Sequence, residues 1–272
     1  MPQKPTTRPG LPEQDVIVGV KSLVHVAELQ QAVAGVEAGG APPRISKYRI
    51  LITNEVDGYE KAATADGLLN TAFAATAAVP TGDNYKGTDR KAAKLSIAKA
   101  DIEEFDDLKD LIESLPLIEE MVKHKPKIGT DSASDRVKEE KRNIRIRAFL
   151  YAASRENDND FHLIIGRDPD TVKADGNEVY MTMEISGLPP KKSDSFDTLK
   201  SARNAYKAFF GANLPGFGYE YPDPPVPVEI EGSLFFDMTH AHGTRPGPKS
   251  LRKHMPTIWE VHPVTRIVFE PS

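Results

Sequence analysis

The feature that most constrains this 272-residue chain is the order of the strand-like and helix-like segments in its second half. Five of these segments have strand character, and one has apolar residues at helical spacing. They are strands at 143–154, 161–165 and 178–185, a helix at 193–210, and strands at 226–238 and 258–269. Three strands, a helix and two strands is the order of a five-stranded OB-type β-barrel, whose helix closes one end. We therefore expect an α+β protein with this barrel at its C-terminal end.

The first half of the chain has mostly helical patterns. Apolar residues recur at helical spacing in 22–36 and 101–115, and 62–78 is rich in alanine. Asp101 and the glutamate three residues after it match a capping box at the start of the third segment. One strand is expected, at 48–54 (YRILITN). This half is therefore predicted to be a mostly helical region with at least one strand.

The domain organisation follows from polar stretches between these patterns. Residues 1–14 are polar and proline-rich, and we expect them to be disordered. A run of charged residues at 135–142 (DRVKEEKR) separates the two halves. We expect the α-rich region to occupy 15–135 and the barrel to occupy 142–272.

Composition excludes several classes of protein. The chain has no cysteine, which excludes disulfides, thiolate metal sites and a cysteine nucleophile. A net charge of −5 argues against a protein that coats nucleic acid non-specifically. The chain lacks an apolar run of about 18 residues and a signal-peptide pattern, so we expect a soluble cytoplasmic protein that does not contact membranes. It also lacks the glycine-rich motifs of dinucleotide, nucleotide-triphosphate and serine-hydrolase sites.

Histidines and acids recur together in the predicted barrel. Alternation places Asp160 and His162 on one side of the second strand. In the fifth strand it likewise places Glu260 and His262 together. Such pairs can direct ligands at one ion, and we expect zinc or manganese if a metal binds. The candidate metal ligands are His162, His240, His242 and His262, and the candidate ligands or general bases are Asp160 and Glu260.

These pairs have a simpler explanation. A histidine beside an acid on a strand is often a hydrogen-bonded structural pair, and the aspartates at 158 and 160 also suit a tight turn. His162 is the exception, because it interrupts an apolar strand and must find a partner there.

A basic loop is the second candidate site. Residues 239–257 contain Arg245, Lys249, Arg252 and Lys253 and no acid. In an OB barrel this loop joins the fourth and fifth strands, and such loops bind oligonucleotides and oligosaccharides. We therefore expect these four residues to bind an oligonucleotide or a small anionic ligand. The alternative is a solvated, flexible loop.

Aromatic residues of the first barrel strand allow two interpretations. Phe149 and Tyr151 alternate onto the same face as Arg145 and Arg147, an arrangement that suits stacking of single-stranded bases. The two rings can equally cover the barrel beneath the N-terminal region.

Three segments of the barrel resemble a family of uncharacterised bacterial OB-barrel proteins. The segments are DNDFHLII (158–165), FFDMTHAHG (235–243) and WEVHPVTRI (259–267), and GTDRKAAK (87–94) is more faintly similar. That family carries a D-x-D-x-H-L strand, an F-F-D…H turn and a closing E-x-H-P strand. The resemblance implies an OB barrel but no activity, and by topology the barrel is also similar to staphylococcal-nuclease-like domains. It further implies that one pattern contains Asp160, His162, Asp237, His240, Glu260 and His262.

Three functional hypotheses follow. The first is a non-enzymatic OB-fold module that binds an anionic ligand or nucleic acid through the basic loop. The second is a metal-dependent hydrolase, such as a phosphodiesterase, that uses the histidines and acids. The third is a structural or interaction protein whose histidine–acid pairs join neighbouring strands.

Overall fold

The computed structural model describes residues 9–23, 47–56, 82–243 and 245–271. The strands in these ranges are β1 (Ile17–Leu23), β2 (Tyr48–Thr53), β3 (Ile102–Phe105), β4 (Asn143–Arg155), β5 (Phe161–Gly166), β6 (Tyr180–Ile185), β7 (Glu220–Asp223), β8 (Val226–Phe236) and β9 (Trp259–Phe269). The α-helices in the same ranges are α1 (Lys91–Lys94), α2 (Leu108–Glu113), α3 (Ile118–Val122), α4 (Pro169–Asp175), α5 (Phe196–Phe210) and α6 (Lys249–Arg252).

Five of the strands form a closed barrel. Their order is β4–β5–β6–β9–β8, and β8 completes the barrel by pairing with β4. β6 and β9 are parallel, whereas the other neighbours in the barrel are antiparallel. α5 lies between β6 and β8 in the chain, which is where OB topology places its helix. The predicted α+β class and the OB-type barrel are confirmed.

The barrel has an apolar interior because alternate residues of each strand point inward. Phe161, Leu163 and Ile165 of β5 belong to the main core, whereas Ile164 belongs to a second cluster outside the barrel. α5 closes one end of the barrel, where the rings of Tyr206 and Phe161 have centroids 4.6 Å apart. The even-numbered residues of β5 therefore lie on the outer face of the barrel.

Four further strands extend the barrel sheet. β1 pairs with β2, β2 pairs with β7, and β7 meets β4 at the pair Glu220 and Ala153. β3 pairs in parallel with β4. The strand predicted at 48–54 is confirmed as β2.

The helix predicted over 101–115 is wrong in its first half. Residues Ile102–Phe105 form β3, whose acids bind arginines on or beside β4. The helix begins only after Asp107, whose side chain accepts a hydrogen bond of 2.9 Å from the backbone N–H of Lys109. Asp107, and not Asp101, is therefore the N-cap.

The two aromatic residues of β4 cover the barrel. Tyr151 is 1% exposed, and its hydroxyl donates a hydrogen bond of 2.8 Å to the carbonyl of Arg167. Phe149 packs partly buried against the same outer cluster. A base cannot stack on the buried Tyr151 ring, so the second of the two interpretations is correct.

Several predictions concern residues outside the described ranges. The predicted helix at 62–78 lies wholly outside them, and the one at 22–36 does so except for Ser22 and Leu23, which end β1. Disorder of residues 1–14 and the domain division near 135–142 stay predictions. In the described ranges no helix has both the length and the apolar composition needed to cross a lipid bilayer.

Candidate functional site

A group of polar side chains lies on the outer face of three neighbouring barrel strands. His162 of β5 stands between two residues that point into the core, so its own side chain points outward. Glu184 of β6 is opposite His162 in the antiparallel register. In β9, Glu260 and His262 flank Val261, which belongs to the core. Strand alternation thus directs all four polar side chains to one face.

The β4–β5 turn adds two carboxylates to this face. The Glu156 N–H donates to the Asp160 carbonyl at 3.0 Å, which closes the turn. Asn159 takes the left-handed conformation that the turn requires, with φ of 82°, and asparagine tolerates this conformation well. The turn therefore holds Glu156 and Asp160 next to the start of β5.

Residues 82–98, which include α1, lie across the same region of the barrel. The backbone N–H of Tyr85 donates to the Leu188 carbonyl at 3.0 Å. The two chain segments come close together at Gly187, where a Cβ atom would lie 2.6 Å from the Tyr85 Cα. Only glycine allows the segment to approach this closely.

His162 and two glutamates form a first set of contacts. Its Nδ1 lies 2.8 Å from Glu156 Oε1 and 3.2 Å from Glu184 Oε1. The side chains of His162 and Glu184 are 1% and 3% exposed, whereas that of Glu156 is 19% exposed. The set therefore comes nearest to solvent at Glu156.

His262 makes a second set of contacts. Its Nδ1 lies 3.0 Å from Glu184 Oε2 and 3.7 Å from Glu260 Oε2. On the other side of the ring, Nε2 lies 3.3 Å from Asp160 Oδ2. All four side chains are buried. The term histidine–carboxylate centre is used below for Glu156, Asp160, His162, Glu184, Glu260 and His262.

Many polar atoms of this centre approach one another without forming hydrogen bonds. In the described part of the chain, the buried atoms of the centre that have no hydrogen-bond partner are Asp160 Oδ2, His162 Nε2, Glu184 Oε2, Glu260 Oε2 and both ring nitrogens of His262. Nearly all buried polar groups in folded proteins are hydrogen bonded, so this concentration requires a physical reason.

Burial and mutual contact shift the ionisation of the centre. Burial raises the pKa of Asp160 and of Glu260 to about 7, and neighbouring carboxylates contribute to the increase. Burial also opposes charge on Glu184, but the adjacent cations outweigh it and hold the pKa of Glu184 well below its ordinary value. Burial opposes charge on His162 and His262 as well, yet the nearby carboxylates raise the pKa of both well above the ordinary value. Glu184 is thus the persistent anion of the centre.

One lysine of α1 reaches the centre. Lys94 Nζ lies 3.7 Å from Asp158 Oδ2 and 5.8 Å from the ring centroid of Phe235, which also packs against His262. Burial disfavours the charged lysine, but Glu184 and Asp158 outweigh it and raise its pKa well above the ordinary value. Lys94 therefore offsets part of the negative charge.

An ion pair anchors α1. Arg90, which precedes the helix, donates to Glu140 Oε1 at 2.6 Å and to Oε2 at 2.7 Å, with both side chains buried. Glu140 also accepts a hydrogen bond of 2.9 Å from the backbone N–H of Phe236 in β8. The position of Lys94 is thereby fixed to the barrel.

The structure brings together four of the residues predicted from sequence, namely Asp160, His162, Glu260 and His262. It does not place the other two predicted histidines with them. His240 lies near Asp237, with 3.5 Å between Nε2 and Oδ2, and His242 is exposed in the loop that follows.

Sequence reasoning missed two members of the centre, Glu184 and Glu156. Glu184 carries the same signal that singled out His162, because it interrupts the apolar strand MTMEI. Glu156 had no such signal, since it is one of several polar residues in a turn.

The basic residues of the 239–257 loop fall into two pairs. Arg245 and Arg252 each donate hydrogen bonds of 2.9 Å to backbone carbonyls of the loop itself. Lys249 and Lys253 are exposed. The arginines thus help to fix the shape of the loop, and ligand binding by these four residues stays a prediction.

Comparison of the chain with protein-family models, with curated proteins and with solved structures gave no match.

Proposed function

We propose that this chain is a metal-binding OB-barrel protein whose histidine–carboxylate centre takes up a divalent cation. The observation that supports the proposal is the convergence of buried ring nitrogens and carboxylate oxygens that have no hydrogen bonds. A cation gives a partner to the carboxylate oxygens and to one ring nitrogen of each histidine, which hydrogen bonding among carboxylates alone does not. The outer face of the second and third barrel strands is also where OB folds bind their ligands.

The distances in the centre are compatible with atoms that share one ion. Two ligand atoms about 2.1 Å from a cation, at an angle of about 90–110°, lie about 3.0–3.4 Å apart. His262 Nδ1 and Glu184 Oε2 are 3.0 Å apart. Asp160 Oδ2 lies 3.3 Å from the other ring nitrogen of His262, and Asp160, Glu184 and His262 each have a ligand atom within 4.8 Å of the other two.

The ligand types favour zinc or manganese. Imidazole nitrogen suits Zn²⁺ and other late transition metals, whereas carboxylate oxygen suits Mn²⁺ and the alkaline-earth ions. A centre that offers both, and no sulfur, is suited to Zn²⁺ or Mn²⁺. These are the ions with which the proposal is tested.

The test is metal binding by the purified full-length chain. After chelator treatment and buffer exchange, calorimetric titration with Mn²⁺ or Zn²⁺ is expected to give stoichiometric binding. Glu184→Gln is expected to weaken binding at least tenfold, because the central anion is lost. His242→Ala is the control and is expected to bind as the wild type does. Absence of binding by the wild type would overturn the proposal.

A hydrolase that acts on phosphodiesters is the second candidate. The partial exposure of Glu156, with Lys94 in the same region, favours it because a substrate needs access to the ion and a cation suits a phosphate. The metal-loaded protein should then hydrolyse bis(p-nitrophenyl) phosphate, and Lys94→Met should slow the reaction without loss of the metal. Metal binding without hydrolysis would reject this candidate alone.

Binding of an anionic ligand or oligonucleotide through the basic loop depends mainly on its two exposed lysines. Oligonucleotide binding that weakens with salt and is lost in Lys249→Ala/Lys253→Ala would support it. Binding that the double variant leaves unchanged would reject it.

A further inference from the structure

We infer that the centre holds two divalent ions, with the carboxylate of Glu184 as the bridge between them. This inference rests on the proposed function and deepens it, since it specifies a second metal site at His162. The observation behind it is that each oxygen of one buried carboxylate faces a different imidazole.

The contacts of Glu184 divide cleanly between the two histidines. Its Oε1 lies 3.2 Å from His162 Nδ1, and its Oε2 lies 3.0 Å from His262 Nδ1. A carboxylate that bridges two ions gives one oxygen to each. In two-metal sites the ions are about 3.5–4 Å apart, a separation that one carboxylate can span.

The remaining ligands also divide into two sets that share only Glu184. One set contains Glu156 and His162, and the other contains Asp160 and His262. In each set, one ligand atom from every residue lies within 4.8 Å of the others. The two histidines do not occur in the same set, so a single ion bound by both imidazoles does not fit the arrangement.

The local charge supports a second ion. The centre contains four carboxylates, and the partly buried Lys94 of α1 lies beside it, with its ammonium 3.7 Å from Asp158. When the two histidines bind as neutral ligands and all four carboxylates are ionised, one divalent ion leaves this group with net negative charge. Unpaired negative charge in a buried site is costly, and a second ion removes it.

The number of bound ions tests the inference. We expect two Mn²⁺ per chain by elemental analysis after gel filtration of the loaded wild-type protein. Glu156→Gln, which changes the most exposed member of the first set, is expected to leave one ion. Glu113→Gln, on the exposed surface of α2, is the matched control and is expected to retain two.

Electron paramagnetic resonance tests the bridge. Two Mn²⁺ ions that share a carboxylate are expected to give an exchange-coupled spectrum, which the Glu156→Gln variant replaces with the spectrum of an isolated ion. One ion in the wild type, or two ions without coupling, would overturn the inference and leave the proposed function intact. No ion in the wild type would overturn both.

Discussion

At the scale of single residues, a glutamate in the middle of an apolar strand is a destabilising feature unless it has partners. Glu184 stands between Met183 and Ile185, which lie in the core, and its own side chain is 3% exposed. His162 and His262 contact its two oxygens. These two imidazole contacts explain why a carboxylate occupies the position, because the fold alone would be served better by an apolar residue.

The buried ion pair of Arg90 and Glu140 leads to a prediction about stability. Glu140→Gln is expected to lower the free energy of unfolding by about 3 kcal/mol, because it leaves a buried guanidinium without its charge partner. Urea unfolding at pH 7 measures the effect. The control is Glu119→Gln, since that side chain is exposed on α3, and a change below about 0.5 kcal/mol is expected. Equal losses in the two variants would contradict the prediction.

Much of the candidate centre could be predicted from sequence, because strand alternation is a local property. The two-residue spacing of Glu260 and His262 is enough to place them on one face of their strand. His162 is singled out by its apolar neighbours alone. Glu156 could not be predicted, since the direction of a turn side chain depends on the turn conformation. His240 was predicted as a metal ligand, yet it lies beside Asp237 and not with the centre.

At the scale of elements, β3 shows where local patterns are insufficient. Residues 101–115 have helical spacing throughout, but the first part pairs with β4 and its acids bind arginines there. Whether a segment pairs with the free edge of another strand depends on residues far away in the sequence, which a local pattern does not contain. The barrel order was predictable for the opposite reason, since its strands and helix each carry their own pattern.

Asp107 joins two helices and should make stability depend on pH. Its carboxylate caps α2 and accepts hydrogen bonds of 2.7 and 2.8 Å from Arg167, which precedes α4. Partial burial disfavours the charged form, but Arg167 outweighs it and holds the pKa of Asp107 below its ordinary value. The stabilisation is therefore present above a pH of about 4 and is lost as the pH falls through the lowered pKa.

Asp107→Asn keeps an N-cap acceptor but removes the charge that Arg167 binds. It is accordingly expected to lower the free energy of unfolding by about 1–2 kcal/mol at pH 7 and by less at pH 3. Urea unfolding at both pH values measures it. Asp106→Asn, at the exposed neighbouring position, is expected to have little effect at either pH. A loss that is the same at both pH values would show that the carboxylate charge is not involved.

At the scale of the whole molecule, the proposed centre joins parts of the fold that are distant in sequence. It combines β5, β6 and β9 with the β4–β5 turn, and α1 contributes Lys94. A ligand that binds only the folded arrangement of these parts must stabilise the whole barrel.

Bound metal is therefore expected to raise the unfolding temperature. At a free ion concentration 100 times the dissociation constant, the stabilisation is about 2.7 kcal/mol. Calorimetric scans with Mn²⁺ and with a chelator measure the difference, and Glu184→Gln, with its weaker binding, is expected to show about half of it or less. An unfolding temperature that does not respond to Mn²⁺ or Zn²⁺ in the wild type would count against a metal centre.

The close approach of Tyr85 to Gly187 limits what this barrel can receive. In OB folds that hold oligonucleotides, the outer surface of the second and third strands is an open groove along which a polymer lies. Here the protein's own backbone lies across that groove, too close at Gly187 for even a methyl group. An ion fits beneath such a cover, whereas a long strand would first have to displace the segment.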